Sequence, residues 1–109
     1  MKKIRVLVGC YVAASSRYMM ENIVKYAKEQ GVEVEFDDTT VDRIEHGEYP
    51  IENYDLVLIG PQARMHEKTI GAMAKKVGVD CFVIDGYIYA VADGQRGYEK
   101  YIKPYIKEK

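Results

Sequence analysis

The chain has 109 residues, 48% of them hydrophobic, and its 16 basic side chains against 17 acidic ones leave a net charge of −1. Length and apolar content suit one ordinary core, so a single domain over residues 1–109 is expected. The near-neutral balance gives no field with which to grip nucleic acid or an anionic membrane, and the longest nearly uncharged apolar run, Val6 to Ala14, is far short of the roughly 20 residues of a spanning helix.

Lys2, Lys3 and Arg5 ahead of "LVGC" look like an export signal ending in a lipid-anchored cysteine. Such a signal needs an apolar segment of about 7 to 15 residues, and only Val6, Leu7 and Val8 lie between Arg5 and Gly9, so this reading is rejected. Ile4 to Val8 reads instead as a strand. From Ser16, Met20, Ile23, Val24 and Ala27 keep the i, i+3, i+4, i+7 rhythm of a helix, and Gly31 supplies its stop. "VEVEF", Val32 to Phe36, alternates strictly and suits an edge strand. "DLVLIG", Asp55 to Gly60, is continuous and suits a buried parallel strand, with a short loop or helix between the two. Ile70, Met73, Ala74 and Val77 form a second helical stripe before Gly78, and "CFVI" from Cys81 to Ile84 is a fourth strand. Tyr98, Tyr101, Ile102 and Tyr105 form a last stripe, which Pro104 is expected to bend or end.

Strands and helices alternate in this order, the signature of a parallel sheet covered on both faces. The expected α/β architecture is a four-stranded parallel sheet of order 2-1-3-4 with a phosphate-binding loop after strand 1. Ligands in such sheets collect beyond the carboxyl ends of the strands. Three connections should meet there: the one that begins at Cys10, "GPQAR" from Gly60 to Arg64, and "DGYIYAVADG" from Asp85 to Gly94.

Cys10 could be a phosphatase nucleophile, a phosphate carrier or a small core residue. A residue between a strand and the start of a helix meets unpaired backbone N–H groups that bind anions, and a thiolate gains from the same field. Ser15 and Ser16 add hydroxyl donors, one of them as helix cap, and Ala13 and Ala14 let an oxyanion approach the main chain. Tyr11, Val12, Ala13, Ala14, Ser15 and Ser16 thus form a candidate oxyanion cradle. In the cysteine phosphatase loop an arginine wraps the phosphate, but it comes one position earlier than Arg17, which follows Cys10 with six residues between them. One helical position turns a side chain by about 100 degrees, which leaves Arg17 as a solvated first-turn residue or a partner contact. A phosphatase also needs an acid for the leaving oxygen, and no aspartate loop offers one. A carrier that accepts a phosphoryl group and passes it on needs only positioning and electrostatic stabilisation.

Elsewhere the ordinary reading prevails. Cys81 lies inside a strand and is structural; with the two cysteines 71 positions apart, neither a disulfide framework nor a metal pattern arises. Gln62 and Tyr89 could touch a bound phosphate or a partner at the rim. His66 is expected to be an ordinary exposed histidine, with nothing to arrange its ring. Asp37, Asp38 and Asp42 are expected in a solvated turn. Without a G-x-G-x-x-G spacing no dinucleotide cofactor is expected, and no metal site either.

With these residues in view, the chain resembles the IIB component of the lactose/cellobiose family of the bacterial sugar phosphotransferase system over nearly its whole length. "CYVAASS" places Cys10 in the family's phosphoacceptor position, and "YDLVLIGPQAR" is similar to its third strand and Gly-Pro-Gln loop. "VIDGYIYAVADGQ" matches the following segment, with Asp85, Tyr89 and Gly94 in family positions. Ala13 stands where the family commonly has glycine, and Arg17 where it has a serine or threonine region. The resemblance implies a cytoplasmic phosphotransferase subunit, peripherally associated with a permease. It would take a phosphoryl group from a phosphohistidine IIA protein onto Cys10 and deliver it to a sugar, a β-linked disaccharide, held by a membrane-embedded IIC partner. The alternative is a low-molecular-weight cysteine phosphatase or an arsenate reductase-like enzyme, and a flavin or nucleotide module without chemistry is the third.

Overall fold

The computed structural model describes residues 2–11 and 16–107. Four strands, β1 (Lys2–Cys10), β2 (Val32–Thr40), β3 (Leu56–Ile59) and β4 (Asp80–Val83), form one parallel sheet in the order β2-β1-β3-β4. Register is continuous from Lys2↔Val32 to Cys10↔Thr40 on one side of β1 and from Val6↔Leu56 to Gly9↔Ile59 on the other. All the carboxyl ends therefore lie on one rim, as the alternation of strands and helices predicts.

Period-two alternation along the strands sorts the core into two layers. Ile4, Val6 and Val8 face α1 (Arg17–Glu29) and the C-terminal helical turns, packing with Met20, Ile23, Ala27, Tyr98, Tyr101 and Ile102. Leu7, Val57 and Ile59 face α2 (Val41–Glu45) and α3 (Glu67–Lys76), packing with Val41, Ile44, Ile70 and Ala74. β3 is buried at every residue, as its continuous apolar run requires.

Several boundaries differ from those expected. β2 continues four residues past Phe36, because β1 runs to Cys10 and offers a hydrogen-bonding partner to each of them. Asp37 and Asp38 are therefore strand residues rather than members of a solvated turn, and Asp42 lies in the first turn of α2. β4 is the second edge strand, so Phe82 is 45% exposed despite its apolar neighbours. Val77 caps α3 and is exposed rather than continuing the apolar stripe.

The segment expected as a rim loop after β4 holds two short helices, α4 (Gly86–Val91) and α5 (Gly94–Gly97). Asp85 accepts from Tyr87 N and Ile88 N to cap α4, and Asp93 accepts from Arg96 N to cap α5. Pro104 does not end the last helix. A π-helical turn over Tyr98–Ile102 leads into α6 (Lys103–Lys107), and this wider turn precedes a proline that has no N–H to give to the preceding turn.

Candidate functional site

Cys10 is the last residue of β1, 1% exposed, with its side chain on the α1 face of the sheet. Its thiol donates to Thr39 O on β2 at 3.7 Å and lies 3.8 Å from Ser16 Oγ. Ser16 occupies the N-cap position of α1, yet its side chain caps no backbone N–H. Its hydroxyl faces the cysteine instead, so Ser16, one of the two serines considered for the cap, contributes to the thiol's surroundings. Gly9, one residue before Cys10, accepts from Gly60 N at 2.8 Å, which holds the exit of β3 beside the cysteine.

Gly60 sits close to the cysteine. A Cβ there would lie 3.3 Å from Cys10 Cβ and 3.7 Å from Gln62 Oε1, so the Gln62 amide flanks the same small space as the cysteine. Gln62 also lines a groove of about 580 Å³ with Tyr18, Met19, Pro61 and Tyr89. The rim residues Gln62 and Tyr89 thus meet in one concavity, and Gln62 joins it to Cys10. Val12, Ala13, Ala14 and Ser15 of the expected cradle lie outside the described residues.

Tyr11, 48% exposed, turns toward the segment after β3, where its hydroxyl donates to Met65 Sδ at 2.9 Å and its ring meets His66 edge-on at 5.8 Å. His66 is not the unarranged exposed histidine expected. Its Nδ1 lies 2.8 Å from Glu45 Oε2, and about three quarters of each side chain is covered. This contact ties the end of α2 to the start of α3.

Arg17 is not simply solvated. Its Nη2 donates to Asp38 Oδ1 at 3.2 Å, and the Asp38 side chain is only 7% exposed. A sequence signal for Asp38 exists: Val32, Val34, Phe36 and Asp38 fall on one face of β2, and continuing the alternation by one step puts the carboxylate on the core side. No comparable signal marks Glu45 and His66, which are 21 positions apart.

Cys81, on β4, is partly buried, and burial pushes its thiol up to about 11, with Glu67 adding to the shift. It supports the structural reading of this residue. Asp85 is held below the usual carboxylate range by hydrogen bonds from Ile88 N and then Tyr87 N, with Lys100 and Arg96 contributing. It acts as a helix cap.

A family model described as "PTS system, Lactose/Cellobiose specific IIB subunit" matches residues 5–102. The chain belongs to the lactose/cellobiose IIB family. Within that family it is similar to the oligo-β-mannoside-specific EIIB component of Bacillus subtilis (strain 168), with 30% identity over 100 residues that cover 92% of each chain. Among solved structures, the lactose-specific IIB domain of Streptococcus pneumoniae superposes with a TM-score of 0.74 at 22% identity, covering 92% of this chain and 99% of that one. The cellobiose-specific IIB component of Borrelia burgdorferi gives 0.71 at 21% identity, over 96% of this chain and 94% of that one. These two share the IIB fold with the four-stranded sheet described here. Among the described residues, no helix of this IIB chain is long and apolar enough to cross a membrane.

Proposed function

We propose that this IIB component is a cytoplasmic phosphocysteine carrier, with Cys10 as the phosphoacceptor and residues 11–16 as the oxyanion cradle. In the first step the sulfur attacks the phosphorus of a phosphohistidine on a IIA protein. The P–N bond breaks, a P–S bond forms, and the proton lost by the thiol ends on the imidazole nitrogen. In the second step a sugar hydroxyl attacks the same phosphorus; the P–S bond breaks, an O–P bond forms, and the hydroxyl proton returns to sulfur. The sugar would be held by a membrane-embedded IIC partner, and a β-linked disaccharide is the cargo class in keeping with the names of the relatives.

The observation that carries this reading is the place of Cys10, at the carboxyl end of a central strand, beside the Ser16 hydroxyl at the start of α1 and the Gln62 amide. A helix of 13 residues presents its first N–H groups to that rim, where developing negative charge is favoured. Such a site stabilises a phosphoryl group by fixed donors and needs no further cofactor.

The test is reconstitution with phosphoenolpyruvate and the general and sugar-specific upstream components. Cys10→Ser is expected to abolish phosphoryl delivery to the sugar while Cys81→Ser leaves it intact. Delivery undiminished in Cys10→Ser would sink the assignment, and brisk turnover of an artificial phosphate ester by the isolated chain would favour a hydrolytic enzyme instead.

A further inference from the structure

Arg17 and Asp38 bracket the Cys10 thiol through their chain neighbours. Arg17 directly follows Ser16, whose Oγ lies 3.8 Å from Cys10 Sγ, and Asp38 directly precedes Thr39, whose carbonyl accepts from the thiol at 3.7 Å. The ion pair between them, 3.2 Å from Nη2 to Oδ1, therefore ties together two of the segments that touch the sulfur. The partners are unequal: the arginine side chain is 61% exposed and the aspartate side chain 7%. Asp38 Oδ2 is buried and, among the described residues, has no hydrogen-bond partner. A carboxylate withdrawn from water is costly to bury and calls for a compensating cation, which Arg17 supplies.

Resting on the phosphocysteine reading above, we propose that Arg17 is a phosphoryl-contacting residue of the Cys10 site and that Asp38 is its positioning residue. A guanidinium has five N–H donors in a fixed fork. Among the described residues Arg17 spends one of them, on Asp38. The others remain for a phosphoryl group, which brings a charge of about −1.5 to −2 and oxygens that match the fork. The shielded carboxylate fixes the place of an otherwise exposed and mobile side chain. It holds the guanidinium on the β2 side of the thiol, so Arg17 reaches a phosphoryl group from the start of α1 and not by wrapping the loop as a phosphatase arginine does. No bond to phosphorus is made or broken by this pair; it offsets charge on the oxygens of the loaded form.

The experiment measures, by intact mass, the equilibrium loading of Cys10 against the upstream phosphoprotein, for the natural chain, R17Q, R17K, D38N and R17Q/D38N. R17Q is expected to shift the loading equilibrium about tenfold toward the donor, the scale of one hydrogen bond to a charged group. R17K should recover part of the loss, and D38N should fall between the natural chain and R17Q. The Arg17 Nε–H resonance should move on loading in the natural chain and move less in D38N. R17Q leaves Asp38 unpaired, and the folded double variant separates the two causes. A loading defect that persists in R17Q/D38N supports phosphoryl contact, whereas one that vanishes there came from the stranded carboxylate and overturns the proposal. Equal loading of R17Q and the natural chain also overturns it. No loading of Cys10 in the natural chain is a different failure, that of the carrier reading itself.

Discussion

Cys81 sits on an edge strand with its thiol pushed up to about 11 by burial and by Glu67, so the thiolate is scarce near neutrality. In a Cys10→Ser background, alkylation of Cys81 should be slow at neutral pH and rise about tenfold per pH unit until it levels off near that value. A rate that is already fast and flat from neutral pH upward would contradict this environment. The contrast between the cysteines was legible in the sequence only in part. Position along the strands separated Cys10 at a strand end from Cys81 within one. What each sulfur touches was hidden, because Thr39 and Ser16 reach Cys10 from separate elements. The same holds for His66, whose ring is arranged by Glu45 from α2 and Tyr11 from the end of β1. Periodicity reports which face a residue takes and not which distant side chain meets it there.

Among the elements, α5 depends on close backbone approach. A Cβ at Gly94 would run into the main-chain carbonyl of Asn22 on α1, while the Asn22 amide donates to Ala92 O at 2.8 Å. Backbone on both sides of the contact leaves nothing flexible to yield. Gly94→Ala is expected to destabilise the fold by about 1–3 kcal/mol, read as a lower denaturation midpoint in urea; a midpoint equal to that of the natural chain would show that α5 can retreat from α1. The strongest elements were readable because their patterns are long or continuous: the stripe of α1, the alternation of β2 and the apolar run of β3. The short ones were not. α4 and α5 are 6 and 4 residues long, held by the caps Asp85 and Asp93 and by contact with α1, so tertiary packing decides them rather than propensity. β2 outran its apolar pattern for a similar reason, since the two aspartates of "DDTT" disfavour a strand and the segment pairs because β1 lies alongside it.

At the scale of the molecule, alkaline stability should carry the mark of Tyr54. Burial and its 2.6 Å hydrogen bond to Asp37 push its hydroxyl up to about 12, against about 10 in an unfolded chain. The folded state thus keeps a proton that the unfolded chain releases. This contribution is fully present below about pH 10 and is lost as pH rises through about 12. Tyr54→Phe should cost about 1 kcal/mol near neutrality and show a shallower loss of stability over that alkaline window, checked by denaturant titrations at a series of pH values. Parallel losses in the two chains would mean that Tyr54 is not the group responsible. The parallel sheet, its two-layer core and the placement of Cys10 on the rim followed from the alternation of strands and helices. The partner choices at the rim did not, because Arg17 with Asp38 and His66 with Glu45 each join residues 21 positions apart.

The most direct measurement is peptide mapping of the chain after incubation with phosphoenolpyruvate and the upstream phosphotransferase components. The expected result is one acid-stable phosphoryl group on the peptide that contains Cys10. A phosphoryl group on the peptide containing His66, or none anywhere on the chain, would contradict the assignment of Cys10 as the acceptor.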